Sequence, residues 1–212
     1  EKAKEEPELQ FNSLAHLLTV ELLREGYRHL NEKAASGADG VTAEEYGRDL
    51  EKNLQDLHDR LREGRYRAQP VRRAYIEKEG GKTRPLGIPA LEDKVVQRAV
   101  LFILEAIYEQ DFLPCSYGYR PKRGAQDALN EVYRVVVTKK VNYVLEADIR
   151  GYFDNIVKEQ LMEFFRKRIK DGSLLRLLGK WLHVGVIEDG RLLLSKKGTP
   201  QGAVISPLMA NV

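Results

Sequence analysis

Apolar residues recur at helical spacing over much of this chain and alternate only in short stretches. Leu14, Leu17, Leu18, Leu22 and Leu23 follow a polar opening and predict an amphipathic helix over residues 12–30. Thr42 with Glu45 forms a capping-box pattern, opening a second helix with Tyr46, Leu50, Leu54, Leu57 and Leu61 along one face. Further periodic runs predict helices over 91–109, 125–137, 158–169 and 173–183. Between them the pattern turns to strands. Segments 71–78 and 82–88 flank Gly80-Gly81, and segments 184–188 and 191–195 flank Asp189-Gly190, so both pairs read as hairpins. Residues 141–148 alternate apolar and polar positions and are rich in β-formers, which predicts a strand ending at Asp148. The result is an α+β chain, helix-rich with short antiparallel hairpins, and not a regular βαβ alternation. It holds no internal repeat, glycine-rich dinucleotide turn or phosphate-binding P-loop.

Composition narrows the class. Of 212 residues, 42% are hydrophobic and 32% charged, with a mean hydropathy of −0.46, the balance of a globular protein and not of a disordered one. Apolar runs such as Ala99–Leu104 fall far short of the roughly 20 residues that span a bilayer, so no membrane partner is expected. No basic start leads into an apolar segment, which argues against secretion. Cys115 is the single cysteine and excludes an internal disulfide. A reducing setting, bacterial cytoplasm or an organelle, fits these features.

Charge is unevenly spread. Residues 1–60 carry 8 Lys/Arg against 14 Asp/Glu, and residues 61–212 carry 27 against 18, which together give the net +3. The densest basic stretch, Arg62–Arg84, holds eight cations against three acids. Such a strip suits a phosphate backbone, although a well-solvated surface has the same composition. The chain opens at Glu1 without Met and stops inside the apolar run Leu208–Val212. That pattern is expected of a piece of a longer protein. It also predicts exposed apolar surface near Leu208–Val212 and self-association as a homodimer through that surface or through residues 67–140.

Three stretches carry chemistry. In Glu146-Ala147-Asp148-Ile149-Arg150-Gly151-Tyr152-Phe153-Asp154 an acid ends a strand ahead of a glycine-permitted turn. Asp148 and the carbonyl of Ile149 suit a hard divalent cation, though a plain strand-end acid reads the same way. In Lys197-Gly198-Thr199-Pro200-Gln201-Gly202 two glycines admit close backbone approach and Pro200 stiffens a loop presenting Gln201 to a sugar or a base. A simple turn before a helix is the alternative. Lys78 and Arg84 straddle the first hairpin tip, a point charge and a planar fork suited to a triphosphate. A basic hairpin without a ligand is the alternative there.

The order of these stretches is more telling than any one of them. Ala38-Asp39-Gly40-Val41-Thr42, then Arg84-Pro85-Leu86-Gly87-Ile88-Pro89 with Asp93-Lys94 and Gln97, then Ser116-Tyr117-Gly118-Tyr119-Arg120-Pro121, then the Asp148 segment, then Gly198-Thr199-Pro200-Gln201-Gly202 through Ser206-Pro207-Leu208 run in sequence. In this order they resemble the motifs of group II intron-encoded reverse transcriptases, the maturases. The resemblance implies the fingers and an incomplete palm of a right-hand polymerase. Residues 1–66 would be a helical RNA-binding extension, 67–140 the fingers and 141–212 part of the palm. It implies Asp148 as a catalytic aspartate holding Mg²⁺ with the Ile149 carbonyl, in a two-metal site that is incomplete here. Phe153 would gate the sugar, Lys78 and Arg84 would clasp the dNTP, and Gln201 would line its pocket. Arg72, Arg73, Arg120, Lys122 and Arg123 would meet RNA. Intron or template RNA and a DNA primer would be the partners. The family's remaining acids come from a Tyr-x-Asp-Asp hairpin that these residues lack, so the 212 residues are expected not to polymerise alone. A non-catalytic RNA-binding, splicing-assisting module and a CRISPR- or defence-associated relative are the alternatives.

Overall fold

The computed structural model describes residues 2–31, 33–77, 81, 83–195, 197–199 and 202–212. Along the chain run helices α1 (Lys2–Glu5), α2 (Val20–Arg28), α3 (Ala43–Gly47) and α4 (Leu50–Arg62), then strands β1 (Val71–Glu77) and β2 (Thr83–Ile88). Helices α5 (Leu91–Tyr108), α6 (Ala125–Thr138), α7 (Tyr152–Asn155), α8 (Lys158–Arg168) and α9 (Gly172–His183) follow. Strands β3 (Val186–Glu188) and β4 (Arg191–Leu193) and helix α10 (Ser206–Asn211) close it. None of the described helices is long and apolar enough to cross a membrane.

Helix α5 is the axis of the core. Val95, Val96, Ala99, Val100, Leu104 and Ile107 are buried on several of its faces, so neighbours must surround it. Leu23, Leu54 and Leu57 from the N-terminal helices join the same cluster as Phe165, Leu178, Trp181 and Met209. Gly26 lets α2 lie close to α5, since a Cβ there would stand 2.7 Å from the Val95 carbonyl oxygen.

The predicted Thr42 capping box forms, with the Glu45 N–H donating to Thr42 Oγ1 at 3.2 Å and the Thr42 N–H to Glu45 Oε2 at 3.0 Å. Neither N-terminal helix runs unbroken as its periodicity predicts: the second is split into α3 and α4 at Arg48 and Asp49, and the first is shortened. Residues 12–30 break at Thr19, whose hydroxyl caps α2 by accepting from the Leu22 N–H at 3.2 Å; a single 3₁₀ turn, Ala15–Leu17, precedes it. The break has a distant cause in Asp171. Its carboxylate accepts from the N–H groups of Leu14 and Ala15 at 2.7 and 2.8 Å and caps α9 through Ser173 and Leu174 at 2.9 and 3.1 Å. Burial opposes its charge, yet these donors hold the carboxyl below the usual carboxylate range. Asp171→Ala leaves buried donors at two helix starts unmet. Urea denaturation is expected to show a loss of about 2 kcal/mol, with Asp171→Asn losing less.

Arg168 fastens the N-terminal segment a second time. Its buried guanidinium donates to the carbonyls of Ala3 and Leu9 at 3.0 and 3.1 Å, and to those of Glu6 and Pro7. Asp111 Oδ2 lies 2.9 Å from Nε but off the N–H direction, so that contact is ionic and not a directed hydrogen bond.

Both predicted hairpins form. Asp189 and Gly190 carry φ of 48° and 74°, the left-handed pair that a tight two-residue turn needs. The hairpins also join. Strand β1 pairs in parallel with β3 through Val71↔Val186 and Arg72↔Ile187, giving one sheet in the order β2-β1-β3-β4.

Two expectations are corrected. Residues 141–148 form no strand. They take no regular secondary structure and pair with no strand among the described residues, and Tyr143 and Leu145 are each 94% exposed. Alternation equips a segment for a sheet, but a strand forms only against a neighbouring backbone that takes up its hydrogen bonds. Nor is Leu208–Val212 an exposed apolar end. Leu208 and Met209 are buried in the common core, because α10 folds back onto it. Uncovered apolar side chains instead include Leu129, Val132, Tyr133 and Val137 on α6, Val144 and Leu145 after it, and Leu192–Leu194 at β4.

Candidate nucleotide and nucleic-acid site

Asp148 sits at the end of the exposed, unpaired segment 141–148, followed by the exposed Ile149. The chain turns at Gly151, whose φ of 61° is left-handed, and enters α7. The Asn155 side-chain amide donates to the Gly151 carbonyl at 2.9 Å and holds the turn. This places Phe153 half-buried, edge-on to Tyr152 and Tyr119 with ring centroids 5.7 and 6.4 Å apart. The Tyr152 hydroxyl donates to the Ala210 carbonyl at 2.6 Å, and Asn211 Nδ2 to the Gly118 carbonyl at 2.8 Å. Helix α10 thereby draws the Ser116–Pro121 stretch onto the Asp148 stretch.

The glycine-proline loop closes on the same spot. The Gly198 N–H donates to the Ile156 carbonyl at 2.8 Å and the Thr199 N–H to the Phe153 carbonyl at 3.0 Å. Val157 and Lys197 form an isolated antiparallel bridge beside them. Gly198 has φ of 82°, and a Cβ there would stand 3.0 Å from the carbonyl oxygens of Phe153 and Asp154. On its other side the loop meets β2, since a Cβ on Gly202, with φ of 104°, would lie 3.1 Å from the Gly87 oxygen. Any side chain at either glycine would push the loop off its two supports. Thr199 Oγ1 and Ser206 Oγ lie 3.1 Å apart, buried beneath it. The loop thus joins the β1–β2 hairpin to the backbone that carries Phe153.

Arg84 stands on β2 opposite Ile76, partly exposed. Lys78 and Gln201 lie outside the described residues. Among the described residues, no three His, Cys, Asp or Glu side chains gather where a metal ion would bind. The Asp148 carboxylate and the Ile149 carbonyl fall short of the oxygen ligand set a hard divalent ion takes, so no catalytic step is derived through one.

The five arginines and lysines read as RNA contacts divide on inspection. Lys122 is exposed, and Arg73 is half-buried on β1. Arg120 is buried, with donors on the Glu109 carboxylate at 2.9–3.2 Å and on the carbonyls of Leu113 and Ser116 at 2.9 and 3.0 Å. It braces the loop from inside, its donors taken up by protein acceptors. Arg123 donates to the carbonyls of Pro114 and Ser116 at 2.6 and 3.2 Å and lies over the Tyr117 ring, supporting the same loop. Arg72 donates to the Ser36 carbonyl at 3.1 and 2.8 Å, and Lys94 to the Ala35 carbonyl at 2.6 Å. These two tie the loop before Asp39-Gly40 to β1 and α5. Sequence reading counted the cations correctly as charge but had no sight of the carbonyls that occupy three of them. Tyr119 stood in the Ser116–Pro121 motif without a role of its own, and Lys158, a few residues beyond Asp154, carried no signal except its place in the sequence.

A family model described as reverse transcriptase (RNA-dependent DNA polymerase) matches residues 76–212. Protein YkfC of Escherichia coli (strain K12) is 41% identical over 99% of this chain and 57% of its own length. The group II intron-encoded protein LtrA of Lactococcus lactis subsp. cremoris is 36% identical over 93% of this chain and 33% of its own. The chain therefore spans between a third and three fifths of the length of these relatives. Among solved structures, a partial Cas6-RT-Cas1–Cas2 complex covers 92% of this chain and 32% of its own at a TM-score of 0.58 and 24% identity, a likeness of fold. The chain belongs to the reverse transcriptase (RNA-dependent DNA polymerase) family, and its sequence similarity extends to group II intron-encoded members.

Proposed function

We propose that this chain supplies the fingers and the first part of the palm of an RNA-directed DNA polymerase of the group II intron kind. Residues 1–66 form its RNA-binding extension, 67–140 its fingers and 141–212 its partial palm. The observation that carries this reading is the loop at Gly198-Thr199, which is bonded to the backbone of Phe153 and abuts β2 through Gly202. That contact supports one nucleotide pocket shared by Arg84 and Phe153, to which the motif resemblance adds Lys78 and Gln201. Asp148 and the Ile149 carbonyl then provide two of the oxygen ligands of Mg²⁺, and template RNA, a DNA primer and a dNTP are the substrates.

With one catalytic carboxylate, the chain is expected to bind RNA without extending a primer, because the two-metal clamp needs further acids. Primer extension on an RNA template should give no product. Binding of the same RNA should weaken steeply with salt as counterions are released, and Lys122→Gln should lower the logarithmic salt slope by about one. Template-dependent synthesis by the chain alone would overturn the incomplete site, and salt-independent binding would overturn the RNA interface. A second copy of the chain is the partner proposed for the uncovered face of α6, and sedimentation of the same preparation should show mass rising with concentration. The second functional reading, a non-catalytic RNA-binding module that assists splicing, is favoured by the lone carboxylate at Asp148. A defence-associated role has a likeness of fold behind it and nothing more specific.

A further inference from the structure

A polar pocket of about 170 Å³ lies between the two hairpins and the start of α8, lined among others by Arg73, Asp154, Lys158, Ser195 and Lys197. Its charge is unusually placed. Lys158 is 4% exposed, yet its ammonium makes one hydrogen bond, to the Ser195 carbonyl at 2.6 Å, and no ion pair among the described residues. Arg73 Nε is enclosed without a hydrogen-bond partner, and its nearest carboxylate oxygen, Glu188 Oε2, is 3.4 Å away. Lys197 stands at the exposed lip. Against these three cations are Asp154 on the wall and Glu188 behind Arg73.

Buried charges in folded proteins are ordinarily paired and fully hydrogen-bonded, because burial strips away the water that stabilised them. Here Lys158 is buried with no ion pair among the described residues, and the half-buried Arg73, paired ionically with Glu188, keeps Nε without a hydrogen bond. An anion with several acceptor oxygens satisfies both at once, and a phosphoryl group matches a guanidinium fork beside an ammonium. We propose that the pocket formed by Arg73, Lys158 and Lys197 binds a phosphoryl group. It adjoins the proposed nucleotide site but needs neither Asp148 nor Gln201, so its failure and the failure of the polymerase reading are separable. Desolvation pulls the Lys158 ammonium below its ordinary pKa in the absence of an anion, and a bound phosphoryl group would favour the charged form. The phosphoryl group belongs either to a free phosphate or pyrophosphate or to a nucleic-acid backbone.

Isothermal titration of the 212-residue chain with inorganic phosphate, pyrophosphate and a short RNA with hydroxyl ends tests the proposal and separates the sources. Saturable binding of at least one probe is expected, weakened on the order of tenfold by Lys158→Gln and about threefold by Lys197→Gln. Loss confined to phosphate or pyrophosphate identifies a free anion, and loss confined to RNA identifies a backbone phosphate. Because Lys158 is buried, the unfolding midpoint of each variant is measured alongside. Where Lys158→Gln does not fold, the exposed Lys197→Gln decides. No saturable binding of any probe, or affinities unchanged in every folded variant, would overturn the proposal.

Discussion

Arg168→Met is expected to lower the unfolding free energy of the chain by about 3–5 kcal/mol, the range for removing one partner of a buried ion pair. The methionine fills much of the same volume, so a cavity is not the main cost. What is lost is the set of donors at one point. The carbonyls of Ala3, Glu6, Pro7 and Leu9 lose their charged partner, and Asp111 loses its counter-ion. Arg168 also lies over the Phe11 ring, 5.8 Å from its centroid, so a cation–π contact goes with it. Arg168→Lys keeps the charge but not the fork, and should lose about 2 kcal/mol. For a domain whose whole stability is about 5–15 kcal/mol, the Met variant is close to failure. Urea denaturation supplies the magnitudes, and amide hydrogen exchange supplies the location. Protection should collapse first at the amides of Phe11 and Lys170, which donate to Arg168 and Phe11 carbonyls at 2.8 Å each. A loss under about 1 kcal/mol, or unchanged exchange there, would show that other contacts hold the N-terminal segment.

How much of this was legible in the sequence follows from how local each determinant is. The Thr42–Glu45 capping box and the Asp189-Gly190 turn are decided within a few residues, and both form where their patterns stand. Helix α5 declares itself by apolar density alone. The parallel contact of Val71 with Val186 was not readable, since neither hairpin carries a local mark of the other. Residues 141–148 show the opposite failure. Their alternation is correct for a strand, but no pattern within them reports whether a partner backbone is present. Charge was the least transferable signal. Arg120 and Arg168 look like surface cations in sequence, and both are buried on carbonyls. At the candidate site, motif order brought Phe153 and the glycine-proline loop to notice together. The physical link between them, the Thr199 N–H on the Phe153 carbonyl, is a backbone bond and leaves no trace in side-chain identity.

Tyr66→Phe is expected to cost about 3 kcal/mol at mildly alkaline pH and distinctly less near pH 5, because its partner is a buried acid that titrates between. Tyr66 donates its hydroxyl proton to Asp93 Oδ1 and accepts from Trp181 Nε1 at 3.1 Å, while the Gln69 N–H donates to Asp93 Oδ2 at 2.9 Å. Burial pushes the Asp93 carboxyl up to about 6 from an ordinary 3.8, and the Tyr66 and Gln69 hydrogen bonds only partly offset it. A carboxyl raised in the folded state binds its proton more tightly there than in the unfolded chain. Its contribution to stability is therefore fully present below pH 3.8 and is lost as pH rises through about 6. Stability should rise by about 1–1.5 kcal/mol from this group as pH falls from 8 to 5. Asp171, whose carboxyl is lowered, acts in the opposite sense and only in stronger acid. Removing the Tyr66 hydroxyl strands the Trp181 N–H and deprives the charged carboxylate of its side-chain donor, which raises the Asp93 pKa further. The variant's pH profile should then be steeper than that of the parent chain. Asp93→Asn, which cannot ionise, should flatten the slope over the same interval. Thermal unfolding of the three proteins across that interval checks both signs. A Tyr66→Phe penalty independent of pH would mean that Asp93 keeps one protonation state throughout, and the coupling of α5 to α9 through this acid would have to be abandoned.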